Sequence, residues 1–311
     1  MFTGTPDGIL AAMRINILLG NLEPHLWEMN GDNVNFVRYG LEDCGVEVRI
    51  GTDQLDPNAT NLFFDRFYTA PNFPMQMEAA KIPFGLVCTE AIGPDGTWNY
   101  GAEGGGQAYN AFALAAERAE FIWCVLEESV EACRALNERV AHIPYGYTKR
   151  METVSPIPVA ERDIDFLLCG FTSPRRREIM DGLAERGYRT VHPGGPIPAF
   201  LRDALMACTR INLSVQKTDQ HGIISPTRIC HSVINKIPVL LEADEANRGG
   251  EDEYSQFCLL SGAGDLAKAC AELIEETDLA AHVEEAYERM RLERPLKEAM
   301  AGVLEATLGG G

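Results

Sequence analysis

No apolar run in the sequence is long enough to cross a bilayer. The first residues also lack the basic stretch, apolar core and small-residue cleavage site of a secretion signal. A protein without a membrane span that stays in the cytoplasm is therefore expected. Nine cysteines occur without a single C-x-x-C pair, so neither a disulfide framework nor a zinc knuckle is indicated; the thiols should be reduced and mostly buried. Positive charge is scarce, with 27 Lys and Arg against 46 Asp and Glu and a formal net charge of −19. A field of that sign repels a phosphate backbone, which argues against nucleic acid as a partner. Any anionic ligand must then meet a local cluster of cations. Finally, no glycine spacing matches a dinucleotide fingerprint or a P-loop.

What is present is a chain of 311 residues with a hydrophobic fraction of 46%, enough for two compact domains with a core each. Met13 to Gly20 predicts a strand, Asp32 onward a helix ended by Gly45, and Val46 to Ile50 a second strand. Asn61 to Pro83 has no clear period. Phe84 to Thr89 predicts a strand, Pro94 to Gly106 a glycine-rich loop, and then a helix, strand, helix and strand follow up to Ile143. Met151 to Asp163, with Pro156 and Pro158, predicts a linker. Beyond it strand and helix alternate again, ending in one helix over His282 to Ala306. Such alternation predicts an α/β fold of two Rossmann-like, doubly wound parallel-sheet domains facing a cleft, divided at 1–155, 156–285 and a terminal helix and tail at 286–311.

Several segments resemble a known family. His142-Ile143-Pro144-Tyr145-Gly146-Tyr147 resembles the I-P-N-G-V segment that closes the N-terminal domain of many GT-B glycosyltransferases. Asp163 to Gly170 with Phe171-Thr172 resembles the F-V-G strand and loop opening their nucleotide-binding domain. Arg228-Ile229-Cys230-His231 through Ile237-Pro238-Val239 resembles their R-x-x-E-A-x-A-x-G-x-P-V helix and strand. The likeness is best to glycosyltransferase-like proteins of the spore-maturation type, which have a similar T-P-R-R turn, and it covers the C-terminal half and the end of the N-terminal half. It implies a nucleotide-sugar donor as substrate, an acceptor hydroxyl of unknown identity, no bound cofactor and no metal. One departure is plain: His231 holds the position of the family's ribose-binding glutamate, and Ile223 that of its partner, so the acidic pair of the retaining branch is absent.

The residues that could carry this chemistry fall in two groups. For the donor, Gly170, Thr172, Arg175 and Arg176 stand where a strand meets a helix N-terminus, and Ser225, Thr227 and Arg228 repeat the arrangement. Free amides, hydroxyls and cations at a helix start suit a diphosphate. The plainer reading is that one or two arginines of the first turn only cap and solubilise a surface helix, that Ser225 is simply an N-cap, and that Arg228 pairs with an acidic neighbour such as Glu242. His221 in the preceding loop and His231 could donate to the sugar or ribose. For the acceptor, Asp32, Glu90 and His25 are candidate general bases, with a helix cap and a structural hydrogen bond as the plainer roles of the two acids. A nucleotide-sugar epimerase and a non-catalytic nucleotide- or sugar-binding protein are the competing functions.

Overall fold

The computed structural model describes residues 13–20, 22, 24–65, 72–93, 96–98, 105–217, 224–242, 253–261 and 265–309. The chain divides into two compact units: Met1–Trp27, Asn33–Tyr145 and Leu296–Gly311 form the first, and Glu28–Asp32 with Gly146–Pro295 the second.

In the first unit six strands form one parallel sheet: β1 (Arg14–Leu18), β2 (Glu47–Gly51), β3 (Thr60–Phe64), β4 (Phe84–Cys88), β5 (Ile122–Cys124) and β6 (Val140–His142), in the order β2-β1-β3-β4-β5-β6. The central strands are apolar runs because helices cover both faces; every residue of β4 is buried. Edge strand β2 instead carries Glu47 and Arg49 and is largely exposed, which discourages pairing with another chain. The connecting helices are α1 (Pro24–Asp43), α2 (Phe73–Ala80), α3 (Gly105–Ala116) and α4 (Val130–Arg134).

The second unit has five parallel strands: β7 (Ile164–Leu167), β8 (Thr190–Val191), β9 (Thr209–Ser214), β10 (Val239–Glu242) and β11 (Leu259–Ser261), in the order β11-β10-β9-β7-β8. Its helices are α5 (Pro174–Glu185), α6 (Ala199–Ala207), α7 (Pro226–Ile234), α8 (Leu266–Glu276) and α9 (Leu279–Glu293), while α10 (Leu296–Leu308) belongs to the first unit. Phe166, Ile211, Leu213 and Leu240 of the sheet pack against Leu183 of α5 and Cys270 of α8 in one buried cluster. From β7 the chain passes through α5 to β8 on one side, then returns through α6 to β9 on the other. The carboxyl ends of β7 and β9 are thus the topological switch point, where open α/β sheets bind ligands.

The expected α/β class with two parallel sheets is what the structure has. Three local expectations change. The helix expected from Asp32 begins at Pro24, so Gly31 and Asp32 lie inside α1 and not at the end of a loop. Proline suits a first helical turn, and a glycine with open space around it is tolerated within a helix. The undecided stretch 61–83 contains β3 and α2; β3 is a central strand whose last four residues are buried. The single helix expected over His282 to Ala306 is two, α9 and α10, because Pro295 has no amide to continue the ladder and pushes Arg294 out of helical geometry, to φ −134° and ψ 58°. Part of the glycine-rich loop, and the residues 218–223, lie outside the described residues.

Candidate donor site at the switch point

The site begins with two helix starts built alike. Ser173 caps α5, its hydroxyl accepting from the Arg176 amide at 3.2 Å, and Ser225 caps α7, accepting from the Arg228 amide at 3.4 Å; Pro174 and Pro226 open the helices. Serine at the cap and proline in the first turn satisfy or remove orphan amides and leave others free at a positive helix end. Because α5 follows β7 and α7 follows β9, the starts flank the switch point from its two sides.

The arginines then reach across it. Arg176 on α5 donates from Nη2 and Nε to the Val215 carbonyl after β9, at 2.9 and 3.3 Å, and from Nη1 to the Phe171 carbonyl at 3.0 Å. Arg228 on α7 donates from Nη2 to the Cys169 carbonyl after β7, at 2.8 Å. Both guanidinium groups close on Gly170, where a Cβ would stand 3.1 Å from Arg176 Nη1 and 3.3 Å from Arg228 Nη2. Gly170 has φ +141°, a region that L side chains rarely adopt, so glycine is required twice over. Among the described residues no carboxylate forms an ion pair with either arginine. Burial first, then Arg228 and Arg175, disfavours the charged form of Arg176, and burial does the same to Arg228. Two partly buried like charges with carbonyl partners and spare N–H donors make a local cluster of positive charge of the kind an anion would neutralise.

Arg175 is differently engaged. It makes a two-point ion pair with Glu242 at the end of β10, Nη1 to Oε2 at 2.9 Å and Nη2 to Oε1, and Glu242 also accepts from the Gln216 amide at 2.8 Å. Glu242 therefore pairs with Arg175 and not with Arg228. Thr172 Oγ1 lies 3.1 Å from His192 Nε2, and the Thr172 amide donates to the Gly194 carbonyl. Thr227 lies in the first turn of α7, half-buried.

His231 is 3% exposed and its Nε2 stands 3.3 Å from Arg202 Nη2 and 3.4 Å from Thr153 Oγ1. Arginine can only donate, so Nε2 accepts and the ring is the neutral Nδ1–H tautomer, in keeping with a pKa lowered by burial. Arg202 is in turn ion-paired with Asp203 and with Asp32. Asp32 is thus tied to a cation, and Glu90 follows β4, its amide donating to the buried Asp65 carboxylate at 2.9 Å. His25 lies in the first turn of α1, with its side chain outside the described residues, as is all of His221. His192 and the carbonyls of Cys169 and Val215 were not legible as site groups, and Glu242 was expected beside Arg228 instead of Arg175, since nothing in a sequence marks which partner a distant arginine will find. The first unit has its own switch point between β1 and β3. A cavity of about 120 Å³ opens there, lined by Leu18, Gly20, Thr52, Asp53, Phe63 and Phe73.

No protein-family model matches the chain. A stretch of 121 residues, 38% of the chain, is 26% identical to the uncharacterized protein L140 of Acanthamoeba polyphaga mimivirus, and it spans 40% of that relative. Among solved structures, the alpha,alpha-trehalose 6-phosphate synthase of Burkholderia multivorans aligns over 98% of this chain and 83% of its own, with a TM-score of 0.53 and 13% identity. An apo structure of OtsA aligns over 90% and 78%, with a TM-score of 0.53 and 9% identity. These neighbours are GT-B glycosyltransferases. The chain has the GT-B fold. At such low identity the likeness speaks for the arrangement of sheets and helices, and the chemistry has to be argued from the residues.

Proposed function

We propose that this GT-B protein transfers a sugar from a nucleotide-sugar donor to an acceptor hydroxyl, with the donor diphosphate held at the switch point of the second unit. The observation that carries the reading is the pair Arg176 and Arg228, converging on Gly170 with no carboxylate partner among the described residues. Negative charge grows on the leaving diphosphate as the glycosidic bond breaks. Two guanidinium groups and two helix starts aimed at that charge stabilise it without reorganisation and without requiring a metal. Thr172, Ser225 and Thr227 add hydroxyls at the same helix starts, and Arg175, neutralised by Glu242, shapes the floor. Of the candidate general bases for the acceptor, Asp32 is engaged with Arg202, which leaves Glu90 and His25 for that role.

A second reading, a binding protein without turnover, draws support from His231. It stands at the family's glutamate position, yet its Nε2 is occupied by Arg202 and Thr153. Incubation with a panel of nucleotide sugars, alone and with candidate acceptors, separates the readings. Release of nucleoside diphosphate is expected for the transferase, while interconversion of donors would mean an epimerase. A melting temperature raised by nucleotides, with no turnover across the panel, would favour the binder.

A further inference from the structure

Away from the switch point, the first unit holds three cysteines that converge. Cys88 ends β4 and Cys124 ends β5; the two are directly paired across the parallel ladder. Cys133 lies on α4, which packs over the same sheet. All three are fully buried, and their sulfurs lie within 4.8 Å of one another. Cys88 lies far before the other two in the chain, and Cys124 and Cys133 are not in a C-x-x-C spacing, so no spacing rule points to the three together.

Three sulfurs bound to one ion at about 2.3 Å stand roughly 3.8–4.0 Å apart. The observed triangle needs only a small contraction to reach that geometry. Among the described residues no fourth cysteine, histidine or carboxylate joins the group. Structural zinc almost always takes four ligands, whereas soft thiolates without nitrogen or oxygen partners select monovalent copper. The surroundings, Leu86, Phe112, Ile122 and Val130, are apolar and exclude water from a bound ion. We propose that Cys88, Cys124 and Cys133 form a three-sulfur site for one soft d10 ion of the Cu(I) class. Each ligating sulfur releases its proton to solvent as the metal–sulfur bond forms, and the ion does not change oxidation state. Such an ion would pin α4 to the sheet. Ser129, just before α4, already ties it to the strand β4 exit by donating to the Glu90 carbonyl at 2.9 Å and accepting from the Ile92 amide at 3.0 Å. The inference stands apart from glycosyl transfer, and neither depends on the other.

The test uses the full chain, reduced and kept free of oxygen, titrated with Cu(I) against a chromogenic Cu(I) chelator, with Zn(II) in parallel. The expected result is one copper ion withdrawn per chain, ultraviolet sulfur-to-metal absorption, three sulfurs by X-ray absorption and a raised melting temperature. Cys133→Ala should lower copper affinity about a hundredfold or more, while Cys270→Ala, in the core of the second unit, should leave it unchanged. If Cys133→Ala fails to fold, the sulfur count on the unaltered protein still decides. Failure to compete with the chelator, a sulfur count below three, equal affinity in the Cys133 variant, or tighter binding of zinc than copper would each overturn the proposal.

Discussion

At the scale of residues, the consequential pair is Arg228 and Gly170. In the proposed function, removing Arg228 deletes a charge-assisted contact to the donor diphosphate, worth roughly 1.5–3 kcal/mol, so Arg228→Ala should weaken nucleoside diphosphate binding by about ten- to a hundredfold. Its effect on melting temperature should be small, because losing the bond to the Cys169 carbonyl is offset by relief of repulsion with Arg176. Titration calorimetry and a thermal melt on the one variant check both; a destabilised protein with unchanged affinity would remove Arg228 from the site. Gly170→Ala strains a backbone at φ +141° and drives a methyl against both arginines, so stability and affinity should fall together. Gly187→Ala is the comparison. Its φ of +92° imposes strain too, but nothing lies within 4 Å of the added carbon, so nucleotide affinity should hold while the melting temperature drops. The position of Arg228 was legible from its motif, and the engagement of Arg175 was not, because its partner Glu242 comes 67 residues later.

At the scale of elements, the two capped starts of α5 and α7 can be separated from the anion they are argued to receive. Serine and aspartate cap about equally well, and a carboxylate at a helix N-terminus is favoured by the dipole by about 0.3–1 kcal/mol. Ser225→Asp should therefore keep or slightly raise the melting temperature while repelling a diphosphate, with affinity lowered at least about tenfold by one new charge next to Arg228. If nucleotide affinity survives this variant, the start of α7 does not face the ligand. The N-caps of α8 and α9, Asp265 and Asp278, provide the contrast: their replacement by alanine should cost about 1 kcal/mol of stability each and leave affinity alone. Ser-Pro starts are legible in a sequence because capping is local chemistry. The early start of α1 and the break at Pro295 were less so: Gly31 mimicked a stop, and a strong apolar period masked a real one.

For the whole molecule, stability should depend on pH through two histidines, His231, which is buried, and His282, which is half-buried. Burial lowers the pKa of His231 and of His282, so both are neutral when folded and take up a proton more readily when unfolded. Their contribution is complete above the unfolded value of about 6.5 and is lost as pH falls through the folded value, at up to about 1.4 kcal/mol per pH unit for each group. Melting temperatures between pH 7 and 5 should fall, and His231→Gln, which keeps an acceptor toward Arg202 but cannot be protonated in this range, should flatten the fall. A slope identical to that of the unaltered protein would mean that His231 is not titrating across unfolding.

Periodicity along the chain was sufficient to recognise alternating strands and helices, two parallel sheets and a cationic, capped helix start after each of two strands, because hydrophobic period, capping and turn chemistry act over a few residues. The sequence also showed that any anion would need a local cluster of arginines, since net charge is a sum over residues. Which arginine stays unpaired was decided by the tertiary structure, as was the gathering of Arg176 and Arg228 at Gly170 and of Cys88, Cys124 and Cys133 beneath α4. Strand order sets those encounters. It puts β9 beside β7 and β5 beside β4, and the energies that select one order come from burial and side-chain fit between segments far apart in the chain.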